Sequence, residues 1–108
     1  MNSIEIYINS IGNNLNIYID TKKNKIKING KEKEITEEKI NNLIRIIRTW
    51  DNIYKDNNHQ IDRETFLINI NTNEGTDSIK GTGGYPENYS ELKDWIGEFY
   101  GWNNIKKI

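Results

Sequence analysis

Residues 4–30 read IEIYINSIGNNLNIYIDTKKNKIKING, and this stretch decides the fold. Ile4, Ile6 and Ile8 alternate with Glu5, Tyr7 and Asn9. Leu15, Ile17 and Ile19 alternate with Asn14, Asn16, Tyr18 and Asp20, and Ile26 and Ile28 with Lys25 and Lys27. Successive side chains of a strand point to opposite faces, so a period of two describes strands with one apolar face. With Ser10-Ile11-Gly12-Asn13 as the first loop, Ile8 faces Leu15, Ile6 faces Ile17 and Ile4 faces Ile19. With Thr21-Lys22-Lys23-Asn24 as the second, Ile19 faces Ile26 and Ile17 faces Ile28. A slip of one residue would turn every one of these side chains to water. The outer face then carries Glu5, Tyr7, Tyr18, Lys25 and Lys27, with Asp20 opposite Lys25.

Working outward, Asn29-Gly30 has the residues of a type I′ turn. A short fourth strand, Lys31 to Ile35, is allowed after it, setting Glu32 against Lys27 and Glu34 against Lys25. Thr36 suits a helix N-cap, and Glu37 and Glu38 suit a first turn, where the helix dipole favours carboxylates. Ile40, Leu43, Ile44, Ile47, Trp50 and Tyr54 follow at helical spacing, widened by Ile46 and Ile53. The pattern predicts one helix from about Glu37 to Tyr54 or Lys55, crossing the inner face of the sheet. After a polar break, Arg63 to Asn71 reads as a strand with Phe66, Ile68 and Ile70 on one face. Asn73-Glu74-Gly75-Thr76 is a turn, and Asp77 to Thr82 returns antiparallel. Asn88 precedes Glu91 by the spacing of a capping box and opens a second helix. Tyr89, Leu92, Ile96 and Phe99 mark its inner face, Trp95 and Tyr100 flank it, and Gly101 suits its C-terminus.

The expected order is β-β-β(-β)-α-β-β-α. This is an α+β fold in which an antiparallel meander packs on a long helix, followed by a hairpin and a C-terminal helix. Its 108 residues fit a single domain spanning 1–108, with no internal repeat or linker. Isoleucine and asparagine dominate, lysine follows, and alanine, valine and cysteine are absent. Their codons are rich in A and T, which points to a low-GC bacterium or its phages and plasmids. A chain without cysteine has no disulfide framework and no thiolate metal site, which fits a cytoplasmic location. No basic stretch followed by an apolar run marks a secretory signal near Met1, and no run reaches the ~20 apolar residues of a membrane span. Lys+Arg number 15 against 16 Asp+Glu, for a net charge of −1. Globally that is neither the basic footprint of a nucleic-acid binder nor a strongly acidic mimic of DNA.

Candidate sites for chemistry are weak. Gly81-Thr82-Gly83-Gly84 lies between a strand and a helix, but no Gly-Lys-Ser/Thr follows, and Pro86 breaks the dinucleotide fingerprint. A backbone device, a bulge or a tight exit from the strand, accounts for it. His59 is the lone histidine, near Asp56, Asp62 and Glu64, in a loop of the polar kind that normally joins helix to strand. Counted from Asp56 as a calcium loop, the sixth position is Ile61 instead of glycine, and the twelfth is Leu67 instead of glutamate. Glu5, Asp20, Glu32 and Glu34 sit opposite lysines on a solvated face. Arg45, Arg48, Lys55 and Arg63 near Trp50 and Tyr54 could track single-stranded nucleic acid, but Asp51, Asp56, Asp62 and Glu64 are interspersed. We therefore expect no enzyme activity, no cofactor and no metal.

The aromatic residues are more informative. Three tryptophans and six tyrosines exceed what one small core needs. Trp50, Tyr89 and Phe99 are expected inside, and Tyr7 and Tyr18 on the outer sheet face. Tyrosine and tryptophan are enriched at binding hot spots. Tyr85, Trp95, Tyr100 and Trp102 are the candidate partner-binding patch, with Glu87, Glu91 and Asp94 as its polar rim. The competing reading is that the tail, residues 102–108, folds back through Trp102, Ile105 and Ile108 and covers them.

The stretch from Gly84 through Tyr85-Pro86-Glu87-Asn88-Tyr89 to Leu92, Asp94, Trp95 and Ile96 resembles a segment of the barstar-type ribonuclease inhibitors. There too, a loop containing proline, glutamate and tyrosine leads into a helix carrying leucine, aspartate and tryptophan. Barstar is built on a parallel sheet, so the order of elements differs and no binding residue is carried over. The resemblance implies only that acidic-aromatic loops before helices suit inhibitors of nucleases. The functional expectation is a small inhibitor of a defence nuclease, of the anti-CRISPR kind, that acts by steric occlusion. An immunity protein neutralising a toxin shares every support, and a nucleic-acid-binding module is the third reading. The expected partner is a protein, a nuclease, CRISPR effector or toxin, with nucleic acid approached only through it and no membrane involved.

Overall fold

The structure is a computed structural model that describes residues 1–10, 13–55 and 64–100. Its strands are β1 (Ser3–Ser10), β2 (Asn13–Asp20), β3 (Lys25–Ile28), β4 (Lys31–Glu34), β5 (Ile53–Lys55), β6 (Thr65–Thr72) and β7 (Gly75–Thr82). Helix α1 (Glu37–Ile47) lies between β4 and β5, and α2 (Tyr89–Tyr100) follows β7. All seven strands form one sheet in the order β4-β3-β2-β1-β6-β7-β5. The fold is α+β, as the sequence predicts.

The register of the meander is the one its isoleucines dictate. Ile4 pairs with Ile19, Ile6 with Ile17 and Ile8 with Leu15, while Ile26 and Ile28 pair with Ile19 and Ile17. All eight are buried. Asp20 faces Lys25, Glu32 faces Lys27 and Glu34 faces Lys25. Asn29 and Gly30 have φ of 47° and 87°, the double left-handed conformation that a type I′ turn needs. The fourth strand is therefore real.

β1 lies inside the sheet because β6 pairs along its other edge, with Ile4 opposite Ile70, Ile6 opposite Ile68 and Ile8 opposite Phe66. This places the apolar faces of both halves of the chain on one side. There Ile40, Leu43 and Ile47 of α1 and Tyr89, Leu92, Trp95 and Ile96 of α2 close the core. Thr36 caps α1 as expected, its hydroxyl accepting from the Lys39 amide at 3.2 Å.

Two expectations are corrected. Helix α1 ends at Ile47, not at Tyr54 or Lys55. Beyond it, Ile53–Lys55 forms β5, which among the described residues is the only strand paired in parallel, beside Lys80–Thr82 of β7. Trp50 and Tyr54 still pack on the core, so the helical spacing of the apolar residues is met without a helix. Ile53, at 55% exposed, does not join them. The second correction is Asn88. Its side chain does not cap α2 towards Glu91. It accepts from the Trp50 indole at 2.7 Å and donates to the Ile46 carbonyl at 3.3 Å. One amide thus satisfies an open carbonyl at the end of α1 and the indole beyond it, where a helix terminus needs partners.

Candidate functional site

The entry to α2 is built on an aromatic cluster. Phe66 of β6 lies 5.9 Å from Trp50, 5.1 Å from Tyr89 and 6.3 Å from both Tyr54 and Tyr85, measured between ring centroids. Tyr85 stacks on Tyr89 at 4.8 Å. Gly81 makes room for Phe66, since a Cβ there would meet the Phe66 ring and would sit 2.5 Å from the Gly84 carbonyl oxygen. Gly83 adopts a positive φ of 78°. The glycine stretch is the backbone device expected of it.

Glu64 ties this cluster to α2. Its carboxylate accepts from the Tyr89 hydroxyl at 2.6 Å and from Lys93 Nζ at 2.9 Å, while its carbonyl accepts from the Tyr85 hydroxyl at 2.5 Å. Lys93 also lies 5.5 Å from the centre of the Tyr89 ring. Burial raises the Tyr89 phenol well above its ordinary value, and the hydrogen bond to Glu64 and the charge of Glu64 push the same way. The phenol stays protonated and donates.

The sequence-derived patch divides on this frame. Tyr85 is 38% exposed and held at both ends, by stacking on Tyr89 and by its hydroxyl. Glu87, Glu91 and Asp94 are exposed. Glu91, Asp94 and Glu98 recur at three- and four-residue spacing, so they share one face of α2, and Glu87 precedes them in the entering turn. Glu98 also pairs with Lys39 of α1. Trp95 does not belong to the surface patch. It is 5% exposed, and its indole donates to the Lys39 carbonyl at 2.9 Å, locking α2 to α1. A position beside the apolar stripe of α2 becomes interior because α1 packs against that side. The Tyr100 side chain and all of Trp102 and the tail lie outside the described residues. So do His59, Asp56, Asp62 and Arg63.

The sequence reading gave little weight to the open face of the sheet. Tyr7 is half-buried and Tyr18 is 43% exposed there, on adjacent central strands. Three shallow hollows lie along this face. Tyr7 and Leu67 line one with Lys80, Tyr7 and Tyr18 line the second with Lys27, and Tyr18, Lys25 and Lys27 line the third with Asp20. Three carboxylates of this face, Glu5, Asp20 and Glu34, have local tasks. Glu5 accepts from Asn69 at 3.2 Å, Asp20 accepts from the amides of Lys22 and Lys23, and Glu34 pairs with Lys25 at 3.3 Å. Burial, and then the charge of Glu5, raise the Tyr7 phenol above its ordinary value. Of the four basic residues weighed as a nucleic-acid patch, Arg45 is exposed and donates to Asn42, one turn away on α1.

No helix among the described residues is long and apolar enough to cross a membrane. No protein-family model matches this chain, and neither does any curated protein.

Proposed function

We propose that the chain is a non-enzymatic binding protein that inhibits a partner by steric occlusion, docking through Tyr85 and the acidic face of α2. One observation carries this reading: Tyr85 is part-exposed yet fixed at both ends, next to the turn and helix that present Glu87, Glu91 and Asp94. An aromatic anchor already ordered in the unbound chain loses little rotamer freedom on binding. Carboxylates on the turn and helix that follow it favour a basic partner surface and speed the encounter. Nucleases keep such surfaces for the phosphates of their substrates. The partner class that fits is therefore an intracellular nuclease, a CRISPR effector or another defence enzyme of the host. A secreted toxin with nuclease activity would present the same chemistry to an immunity protein.

The test is affinity capture from host lysate, with bound proteins identified by mass spectrometry. It is run in parallel with the native chain and with a Glu91→Lys/Asp94→Lys variant. Near-stoichiometric recovery of one nuclease by the native chain, and its loss with the variant, supports the reading. Equal recovery by both removes α2 from the interface.

A second reading rests on the open sheet face, where Tyr7 and Tyr18 stand beside Lys27 and Lys80. Tyrosines on a sheet flanked by lysines can stack the bases of single-stranded nucleic acid. Fluorescence anisotropy with a labelled single-stranded oligonucleotide separates the two. Salt-dependent binding that Tyr18→Ala weakens favours the sheet face.

A further inference from the structure

Among the described residues β4 is one edge of the sheet, and its four residues, Lys31-Glu32-Lys33-Glu34, are all exposed. Lys31 faces Ile28 and Lys33 faces Ile26, both buried, so these lysines lie on the core side. Glu32 faces Lys27 and Glu34 faces Lys25, so the glutamates lie on the outer side. An edge strand presents unpaired amides and carbonyls and is a template for a further strand. A second copy of the chain is always present at equal concentration, and two-fold dimers are the commonest closed assemblies.

We propose that β4 is an edge coded against its own copy. A closed two-fold pair of edges must be antiparallel, with its axis perpendicular to the sheet and with core faces on the same side. Residues directly opposite then come from the same face. Within this strand, lysine can therefore oppose only lysine, and glutamate only glutamate. If Lys33 opposes itself, Glu32 meets Glu34. If Glu32 opposes itself, Lys31 meets Lys33. Like charges directly opposite destabilise a strand pair. A parallel pair with its faces reversed would match opposite charges, but it needs a shift of one residue along the strand and so cannot close. Within the sheet the two glutamates face lysines of β3, Glu32 opposite Lys27 and Glu34 opposite Lys25, so the same alternation attaches β4 to its own sheet and repels a copy.

The experiment is sedimentation equilibrium of the full chain, with hydrogen exchange of the β4 amides as a second readout. The native chain is compared with a variant in which Lys31, Glu32, Lys33 and Glu34 are all replaced by threonine, and circular dichroism confirms folding. The variant is expected to self-associate at least tenfold more tightly than the native chain and to protect its β4 amides as concentration rises. If the variant fails to fold, the native chain in 1 M salt replaces it. There the Debye length falls to about 3 Å and the repulsion is screened, so self-association through β4 should strengthen. A folded variant that associates no more than the native chain overturns the proposal. So does a native chain that dimerises at low salt with its β4 amides protected.

Discussion

Phe66 lies against Gly81, its cross-strand neighbour in β7, so closely that the glycine has no room for a methyl group. A Cβ there would also press on the carbonyl of Gly84, which is backbone and cannot swing away as a side chain could. Gly81→Ala should therefore destabilise the protein by about 1–3 kcal/mol, as overpacking does. Urea unfolding followed by tryptophan fluorescence measures it. A change under ~0.5 kcal/mol would mean that Phe66 is not seated as described.

Asn88 should matter more than its half-buried position implies. Asn88→Ala removes the acceptor of the Trp50 indole and a donor to the Ile46 carbonyl together. Each group left unsatisfied costs about 1–3 kcal/mol when buried, and here both are only partly so. A loss of about 2 kcal/mol is expected in thermal unfolding. Asn88→Asp should keep the acceptor for Trp50 and lose only the donor, so it should fall between the two.

Trp95 distinguishes core from contact surface. Trp95→Ala should cost about 3–5 kcal/mol, the range for truncating a buried aromatic residue. Trp95→Phe keeps most of the packing and removes the bond to the Lys39 carbonyl, for a smaller loss of about 1–2 kcal/mol. Circular dichroism melts of the two variants check this. A variant at position 95 that melts with the native chain would return the residue to the surface.

The Tyr89 phenol gives stability a dependence on alkaline pH. Its proton is held more tightly in the folded chain than in the unfolded one, whose ordinary value is 10.0. Below that value both states carry the proton, and the contribution is complete. Above it the unfolded chain releases its proton first, and stability falls by about 1.4 kcal/mol per pH unit from this residue. Tyr89→Phe should cost about 1.5–3 kcal/mol at neutral pH through the lost bond to Glu64, and the deficit should shrink above pH 10. A deficit that stays constant from pH 8 to pH 11 would show the phenol to be solvated.

What could be read from the residues follows from how local the physics is. Ile4, Ile17 and Ile26 announce their faces through a period of two, and short loops then allow only one register, so the meander was legible down to the pair Asp20–Lys25. The end of α1 was not. Trp50 and Tyr54 continue the spacing of Ile40, Leu43 and Ile47, and spacing alone cannot distinguish a longer helix from a chain that turns back to pair with Lys80–Thr82. The cue was Asp51-Asn52, two poor helix formers, with Asn52 now accepting from the Lys80 amide at 2.9 Å. Asn88 misled for a related reason. Its spacing to Glu91 suits a local cap, and the partner that won, Trp50, is 38 positions away. Of the candidate patch, the exposure of Glu91 and Asp94 was readable from helical phase. The burial of Trp95 depends on where α1 lies, which no local pattern records.

Of the described strands, β1 is made first and is among the last to be completed. Its pairing with β6 joins Ser3 to Asn71, so one of its edges stays open while the ribosome adds the whole of the intervening chain. At ordinary elongation rates of about 5–20 residues per second, that delay is roughly 3–14 s, far longer than a hairpin takes to form. The nascent meander therefore leaves the exit tunnel as a half-sheet with a bare isoleucine-rich edge. In a crowded polysome, this newborn strand edge is where the molecule is most exposed to error.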